Sequence, residues 1–298
     1  MSEAARRGTL VSGIGSFYTV LEPDGTRYTV RAKKKFRHQG MTPMVGDEVL
    51  FLPGAGGENG WLEEILPRSS VCVRPPVANI TLLMLVVCPE PAPDLLLMDR
   101  LMVQARRQGI RVCLVASKSD LDPSLAPTLR EEYRGSDTLV TGVSSVTGEG
   151  LDSLLSLMHG ETCCFAGQSG AGKSTLINRL FGLNLETGEI SEKIRRGKNT
   201  TRRAELFVSG DIRFLDTAGF SLLEIQEIMD PSEVRLAYPE FMPYEGTCRF
   251  QPCLHDREPG CRVRMAAESG EEDVSIKRLE RYREILQEVR TAWRERYD

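Results

Sequence analysis

Eight consecutive residues carry the clearest chemistry in the chain. Gly167-Gln168-Ser169-Gly170-Ala171-Gly172-Lys173-Ser174 fits the pattern G-x-x-x-x-G-K-[ST]. Its glycines let successive backbone N–H groups turn inward around phosphate oxygens. Lys173 supplies a cation to the β and γ phosphates. Ser174 offers its hydroxyl to Mg²⁺, and Thr175 joins the nucleotide contacts. An apolar strand over residues 163–166 enters this loop and a helix from Lys173 leaves it, which is the context the motif needs.

A phosphate loop does not choose between ATP and GTP, so other residues must. Asp216-Thr217-Ala218-Gly219 ends an apolar strand over residues 212–215. Asp216 there can hold Mg²⁺ through water, and the Gly219 N–H can touch a γ-phosphate. Thr200 and Thr201 lie in the polar segment between the phosphate-loop helix and that strand, where a Thr can close over Mg²⁺ and γ-phosphate as a switch. Thr201 is preferred because it directly precedes Arg202. Lys173, Thr201 and Asp216 are the catalytic candidates, and Ser174, Thr201 and Asp216 the magnesium set. Upstream, Ser117-Lys118-Ser119-Asp120 follows a buried strand and is similar to [NT]-K-x-D. Asp120 can accept from guanine N1–H and the exocyclic amine, a donor pair adenine lacks, while Lys118 lays its stem along the ring. Ser144-Ser145, just before Thr147-Gly148-Glu149-Gly150-Leu151, matches a loop that contacts guanine O6.

A second cluster lies near the C-terminus. Cys248, Cys253, His255 and Cys261 offer three thiolates and one imidazole within a short polar stretch. Four ligands fill a tetrahedral zinc site and leave no open position, so one structural Zn²⁺ is expected. The other cysteines among the eight, Cys72, Cys88, Cys113, Cys163 and Cys164, sit in apolar, strand-like stretches as small buried hydrophobes do.

The elements that position these groups fall into three regions. Residues 1–72 read as short strands with turns at Pro23-Asp24-Gly25 and Val45-Gly46-Asp47, a small barrel or sandwich. Residues 77–221 alternate buried strands with helices, as a doubly wound α/β sheet does. Residues 222–298 combine helical pieces, the Cys/His cluster and a charged terminal helix. In that helix Ile276, Leu279, Leu286, Val289 and Trp293 form an apolar stripe, flanked by Tyr282 and Ile285.

Composition fits this multidomain α/β picture. The chain has 298 residues, 41% hydrophobic and 27% charged, which excludes wholesale disorder. A formal net charge of -4 argues against a uniformly basic nucleic-acid binder but leaves room for local basic patches. The longest nearly pure apolar run, residues 80–88, falls far short of the roughly 20 residues a membrane helix needs. The N-terminal residues lack the apolar core of a signal peptide. A cytoplasmic monomer with no membrane partner is expected.

The order of the motifs is the informative part. An ordinary small GTPase meets phosphate loop, switch Thr, D-x-x-G, N-K-x-D and then S-A; here the last two come first, which is a circular permutation. Such a rearrangement is cheap when the original termini lie close together. On these motifs the chain resembles the RsgA (YjeQ) family of circularly permuted bacterial GTPases. The resemblance extends to Pro43-Met44-Val45-Gly46-Asp47, Arg74-Pro75, Gly197-Lys198-Asn199-Thr200-Thr201 and Tyr238-Pro239-Glu240-Phe241. It implies an N-terminal OB-like β-barrel, a circularly permuted P-loop GTPase domain and a C-terminal zinc-binding helical domain. It also implies GTP hydrolysis stimulated by the small ribosomal subunit and a role in that subunit's late assembly and maturation.

Three departures from the family pattern bear on the chemistry. Ser117 stands where Asn is usual; Asn reaches guanine N7 and braces the phosphate loop, so weaker guanine binding is expected. Phe220 follows Gly219, where Ras-like enzymes carry a water-orienting Gln. Asn199 occupies the position of a proposed catalytic His, so a low basal rate is expected. Together these two leave an alternative, a GTP-regulated RNA-binding module with little intrinsic hydrolysis. An ATPase or kinase sharing the phosphate loop is the other rival, and Asp120 with the Ser144-Ser145 loop argues against it. Two basic clusters are candidate rRNA contacts: Arg27, Arg31, Lys33, Lys34, Lys35 and Arg37 with Tyr28 and Phe36 interleaved, and Lys193, Arg195, Arg196, Lys198, Arg202 and Arg203 around the switch Thr.

Overall fold

The structure is a computed structural model that describes residues 4–38, 40–54, 58–72, 76–183, 205–215, 229–270 and 273–296. Strands β1 (Arg6–Ile14), β2 (Phe17–Leu21), β3 (Arg27–Ala32), β4 (Glu48–Leu52) and β5 (Gly60–Ile65) close a barrel in the order β1-β2-β3-β5-β4. All its pairings are antiparallel except β3 with β5. Alternation drives closure: Leu10, Val20, Val30, Val49, Phe51 and Leu62 point inward and are fully buried. The short helix α1 (Lys34–His38) plugs one end with Phe36. Register shifts at Leu10/Ser12 and Leu50/Phe51 mark the bulges that let so few strands curl shut. Of the barrel and the sandwich, the barrel is what forms.

A two-stranded link, β6 (Val71–Cys72) with β7 (Val77–Ala78), leads out of the barrel. The Pro43–Asp47 motif fastens this junction. Asp47, with no exposed surface, accepts from Arg68 Nε at 2.7 Å and from the Met44 N–H at 2.7 Å. Asn79 donates to Gly46 O at 2.9 Å and accepts from the Ser69 N–H.

The central sheet has the order β10-β9-β8-β11-β13-β12. Its strands are β8 (Leu82–Val87), β9 (Arg111–Ala116), β10 (Leu139–Gly142), β11 (Thr162–Ala166), β12 (Leu206–Ser209) and β13 (Ile212–Leu215). All neighbours are parallel except the β12–β13 hairpin. β8 and β11 are buried at every position, because helices cover both faces. Those helices are α2 (Leu95–Arg107), α3 (Leu125–Glu132), α4 (Leu151–Met158) and α5 (Lys173–Phe181). Asp94 caps α2 by accepting from the Leu97 N–H at 2.9 Å. Periodicity did not single out α3: it spans eight residues and carries Pro127 in its first turn, where the missing N–H costs nothing.

The C-terminal region packs two 3-10 turns, Pro231–Ala237 and Pro239–Tyr244, with α6 (Arg262–Ser269) and α7 (Ile276–Glu295). In α7 the buried face is Arg278, Leu279, Tyr282, Ile285, Leu286 and Val289. Tyr282 and Ile285 thus sit at its centre, while Ile276, expected in the stripe, is exposed. The face is rotated because it must also meet α2 of the central domain.

Candidate functional site

β8, β9, β10, β11 and β13 run parallel, so their carboxyl ends line one edge of the sheet. Every candidate nucleotide residue that is described lies at or just beyond that edge. The phosphate loop follows β11. Gly167 has φ +136°, and a Cβ there would overlap Val86 O, so the loop can leave the strand only with glycine. Lys173 begins α5 and donates from Nζ to Gly167 O at 2.7 Å and Gln168 O at 2.8 Å. Burial lowers the pKa of its ammonium group. An arriving phosphate would compensate that desolvation. Ser174 is half-buried and Thr175 exposed in the first turn of the same helix. Ser169 and Gly170 are exposed, and Ala171 is fully buried.

The segment after β9 meets this loop directly. Ser117, 4% exposed, directs its Oγ to Ala171 O at 2.6 Å and lies 3.0 Å from Val87 O. Serine therefore keeps the brace on the phosphate loop that the sequence assigned to asparagine. Lys118, with φ +56°, donates from Nζ to Glu90 O at 2.7 Å. Asp120 is exposed, and its Oδ1 accepts from Ser144 Oγ at 2.5 Å, joining the ends of β9 and β10. The Ser144 hydroxyl also accepts from the Val146 and Thr147 N–H groups, which shapes the loop carrying half-buried Ser145.

Sequence reasoning missed the bracket formed by residues 88–94. Gln168 Nε2 donates to Pro91 O at 3.1 Å and Ala92 O at 2.8 Å, while its Oε1 accepts from the Asp94 N–H at 2.7 Å. With Lys118 on Glu90 O, one loop holds a base-side residue, a phosphate-loop residue and the cap of α2. The alternating Pro89, Pro91 and Pro93 are the trace it leaves in the sequence.

Thr200, Thr201, Asp216, Gly219, Asn199 and Phe220 lie outside the described residues, as does the second basic cluster from Lys193 to Arg203. β13 ends at Leu215, on the sheet edge that carries the phosphate loop.

The metal-ligand candidates come together. The ligand atoms of Cys248, Cys253, His255 and Cys261 lie within 4.8 Å of one another, and all four residues are buried. His255 Nδ1 stands 3.7 Å from Cys248 Sγ and 3.5 Å from Cys261 Sγ. Tetrahedral zinc with bonds of about 2.3 Å to sulfur separates its ligands by roughly 3.8 Å, so the set fits. His255 Nε2 faces Glu245 Oε1 at 3.2 Å, which fixes the ring with Nδ1 toward the sulfurs. The Arg262 and Arg264 N–H groups donate to Cys248 and Cys261 Sγ at 3.3 and 3.4 Å, favouring thiolate. Without a cation, burial pushes the Cys253 thiol up to about 12. The cluster is compatible with zinc. Glu245, outside the ligand pattern, gave no signal in the sequence.

A buried ionic cluster ties this region to the central domain. Arg278, 1% exposed, donates to Asp99 Oδ1 of α2 and to Glu240 Oε1, each at 2.6 Å. Its guanidinium lies between the rings of Tyr133 and Tyr238 at 4.5 and 4.8 Å. Burial alone would lower its pKa; the facing Asp99 and Glu240 carboxylates raise it instead. The Tyr238–Phe241 motif thereby acquires a role. Tyr238 covers the cation, Glu240 neutralises it, and Phe241 packs edge-on against His255 and Tyr282. One signal was available: Arg278, Tyr282, Ile285 and Val289 share helical spacing.

A parallel sheet with its phosphate loop on an inner strand, and a base-side segment that precedes it in the chain, defines a circularly permuted phosphate-loop protein. Comparison with known proteins agrees. A model described as RsgA N-terminal domain matches residues 7–61, and one described as RsgA GTPase matches residues 65–226. Two relatives, each named small ribosomal subunit biogenesis GTPase RsgA, align over most of both chains. That of Ruminiclostridium cellulolyticum is 40% identical over 95% of this chain and 93% of its own. That of Moorella thermoacetica is 42% identical over 95% and 97%. Among solved structures, YjeQ from Thermotoga maritima superposes with a TM-score of 0.81 at 31% identity, covering 96% of this chain and 99% of that one. YloQ, described as a circularly permuted GTPase, gives 0.78 at 29%, covering 97% and 96%. The chain belongs to the RsgA GTPase family.

Proposed function

We propose that this protein hydrolyses GTP in the course of small ribosomal subunit assembly, binding rRNA in the cytoplasm. The observation that carries the nucleotide reading is the 2.6 Å contact of Ser117 Oγ with Ala171 O, which joins a base-side segment to a phosphate loop 54 residues later. Asp120 accepts from the guanine N1–H and amine, Lys118 covers the ring, and Ser145 approaches O6. The loop amides, with Lys173, hold the phosphates. Ser174, Thr201 and Asp216 would hold Mg²⁺, which supplies charge neutralisation at the β and γ oxygens. Gln168 keeps the loop shaped between turnovers through its three contacts with residues 91–94. Cys248, Cys253, His255 and Cys261 hold one structural Zn²⁺, and the Arg278 cluster presses that domain onto α2.

The barrel supports RNA contact. Registers across β2, β3 and β5 align Phe17 with Arg31 and Arg31 with Trp61. Arg31 lies 4.6 Å over the Phe17 ring, and Phe17 and Trp61 are 38% and 46% exposed. Two exposed rings flanking a cation suit base stacking with phosphate contact. The test is turnover of GTP and of ATP with purified small subunits added or withheld. GTP hydrolysis should rise with subunits while ATP is left unused; turnover indifferent to subunits would defeat the assignment.

A further inference from the structure

We propose that this chain leaves the purine N7 unread, selecting guanine by its Watson–Crick edge alone. The inference rests on the reading of Lys118 and Asp120 as base-binding residues and goes beyond it.

The Ser117 side chain, at the position that would face N7, has its donor already in use. A serine hydroxyl has one hydrogen. Both oxygens within reach of Ser117 Oγ, Ala171 O at 2.6 Å and Val87 O at 3.0 Å, are carbonyl acceptors, so that hydrogen is committed inside the protein. The side chain is 4% exposed and faces the phosphate loop. The Ser117 N–H donates to Val87 O at 2.8 Å and the Ser119 N–H to Val143 O at 3.1 Å. The Ser119 hydroxyl donates to Glu149 Oε2 at 3.3 Å, and Lys118 Nζ is drawn to Glu90 O. An asparagine at 117 would differ in kind. Its amide nitrogen carries two hydrogens, one for Ala171 O and one for the base. Serine, with one donor hydrogen where asparagine has two, keeps the brace at the expense of N7.

Asp120 is left as the discriminating group. Its Oδ1 accepts from Ser144 Oγ, which orients the carboxylate, and its exposed position leaves the remaining lone pairs for ligand donors. A base without N7 should therefore bind as well as guanine.

The experiment is competition against a fluorescent GDP on the full-length, zinc-loaded chain with Mg²⁺, using GTP, ATP and 7-deaza-GTP, whose N7 is replaced by C–H. The expected result is 7-deaza-GTP within about twofold of GTP, with ATP weaker by about 100-fold or more. A 7-deaza-GTP weaker than GTP by about fivefold or more shows that N7 is read and overturns the proposal. GTP binding no tighter than ATP defeats the guanine reading itself, and the inference with it. In the S117N variant GTP should bind more tightly and 7-deaza-GTP should fall behind it by about three- to tenfold, the worth of one hydrogen bond. S117A, which loses only the brace, should weaken both nucleotides by the same factor. Should S117N not fold, the wild-type ratio still decides.

Discussion

Replacing Arg278 by Met keeps an unbranched apolar stem and removes the guanidinium with its charge, so it tests the ionic part of the domain junction. Asp99 would retain Arg281 Nε at 2.6 Å and the Tyr133 hydroxyl at 2.8 Å. Glu240 would not be rescued: its Oε1 loses Arg278, and its Oε2 already lacks a partner among the described residues. With Glu240 3% exposed, that leaves a carboxylate buried without compensation, which costs about 3–5 kcal/mol. Divided by a urea dependence of about 2 kcal/mol per molar, about 4 kcal/mol lowers the unfolding midpoint by about 2 M. The chain has two tryptophans, Trp61 in the barrel and Trp293 in α7. A W61F background makes Trp293 fluorescence report the C-terminal region alone. Adding E240Q to R278M should recover a large part of the loss, because a neutral amide is far cheaper to bury than a charge. A midpoint moved by less than about 0.5 M, or no recovery in the double variant, would refute the argument that Arg278 exists to neutralise Glu240.

Three further outcomes are expected. D120N should weaken GTP by about 10²–10⁴, because two hydrogen bonds to a charged acceptor are lost at about 1.5–3 kcal/mol each, and should leave ADP and ATP competition unchanged; competition titration measures both. Metal analysis of the purified protein should find one zinc per chain and none in C253S, whose C-terminal helices should lose protection from amide hydrogen exchange while β8 and β11 keep theirs. W61A should weaken binding to single-stranded RNA by about 1–3 kcal/mol, read by fluorescence anisotropy, without altering GTP affinity.

Contiguous motifs were legible without coordinates because their geometry is local. The phosphate loop is a strand–turn–helix of consecutive residues, and the metal ligands fall within fourteen positions, so spacing alone constrains where their atoms lie. Motif order likewise gave the permutation, since a sheet edge collects strand ends whatever their sequence. Buried, helix-flanked strands such as β8 and β11 announced themselves as unbroken apolar runs.

What tertiary structure decided were contacts between residues whose types are individually ordinary. Ser117 looked like a weakened asparagine until its hydroxyl was seen on Ala171 O. Gln168 gained its role only from the backbone of residues 91–94. Arg278 meets Asp99 across 179 residues and Glu240 across 38, and no local periodicity encodes such a pairing. A hydrogen bond depends on position to a few tenths of an ångström. Over long chain separations that position is set by the packing of whole helices and sheets, and the sequence carries it only through the fold.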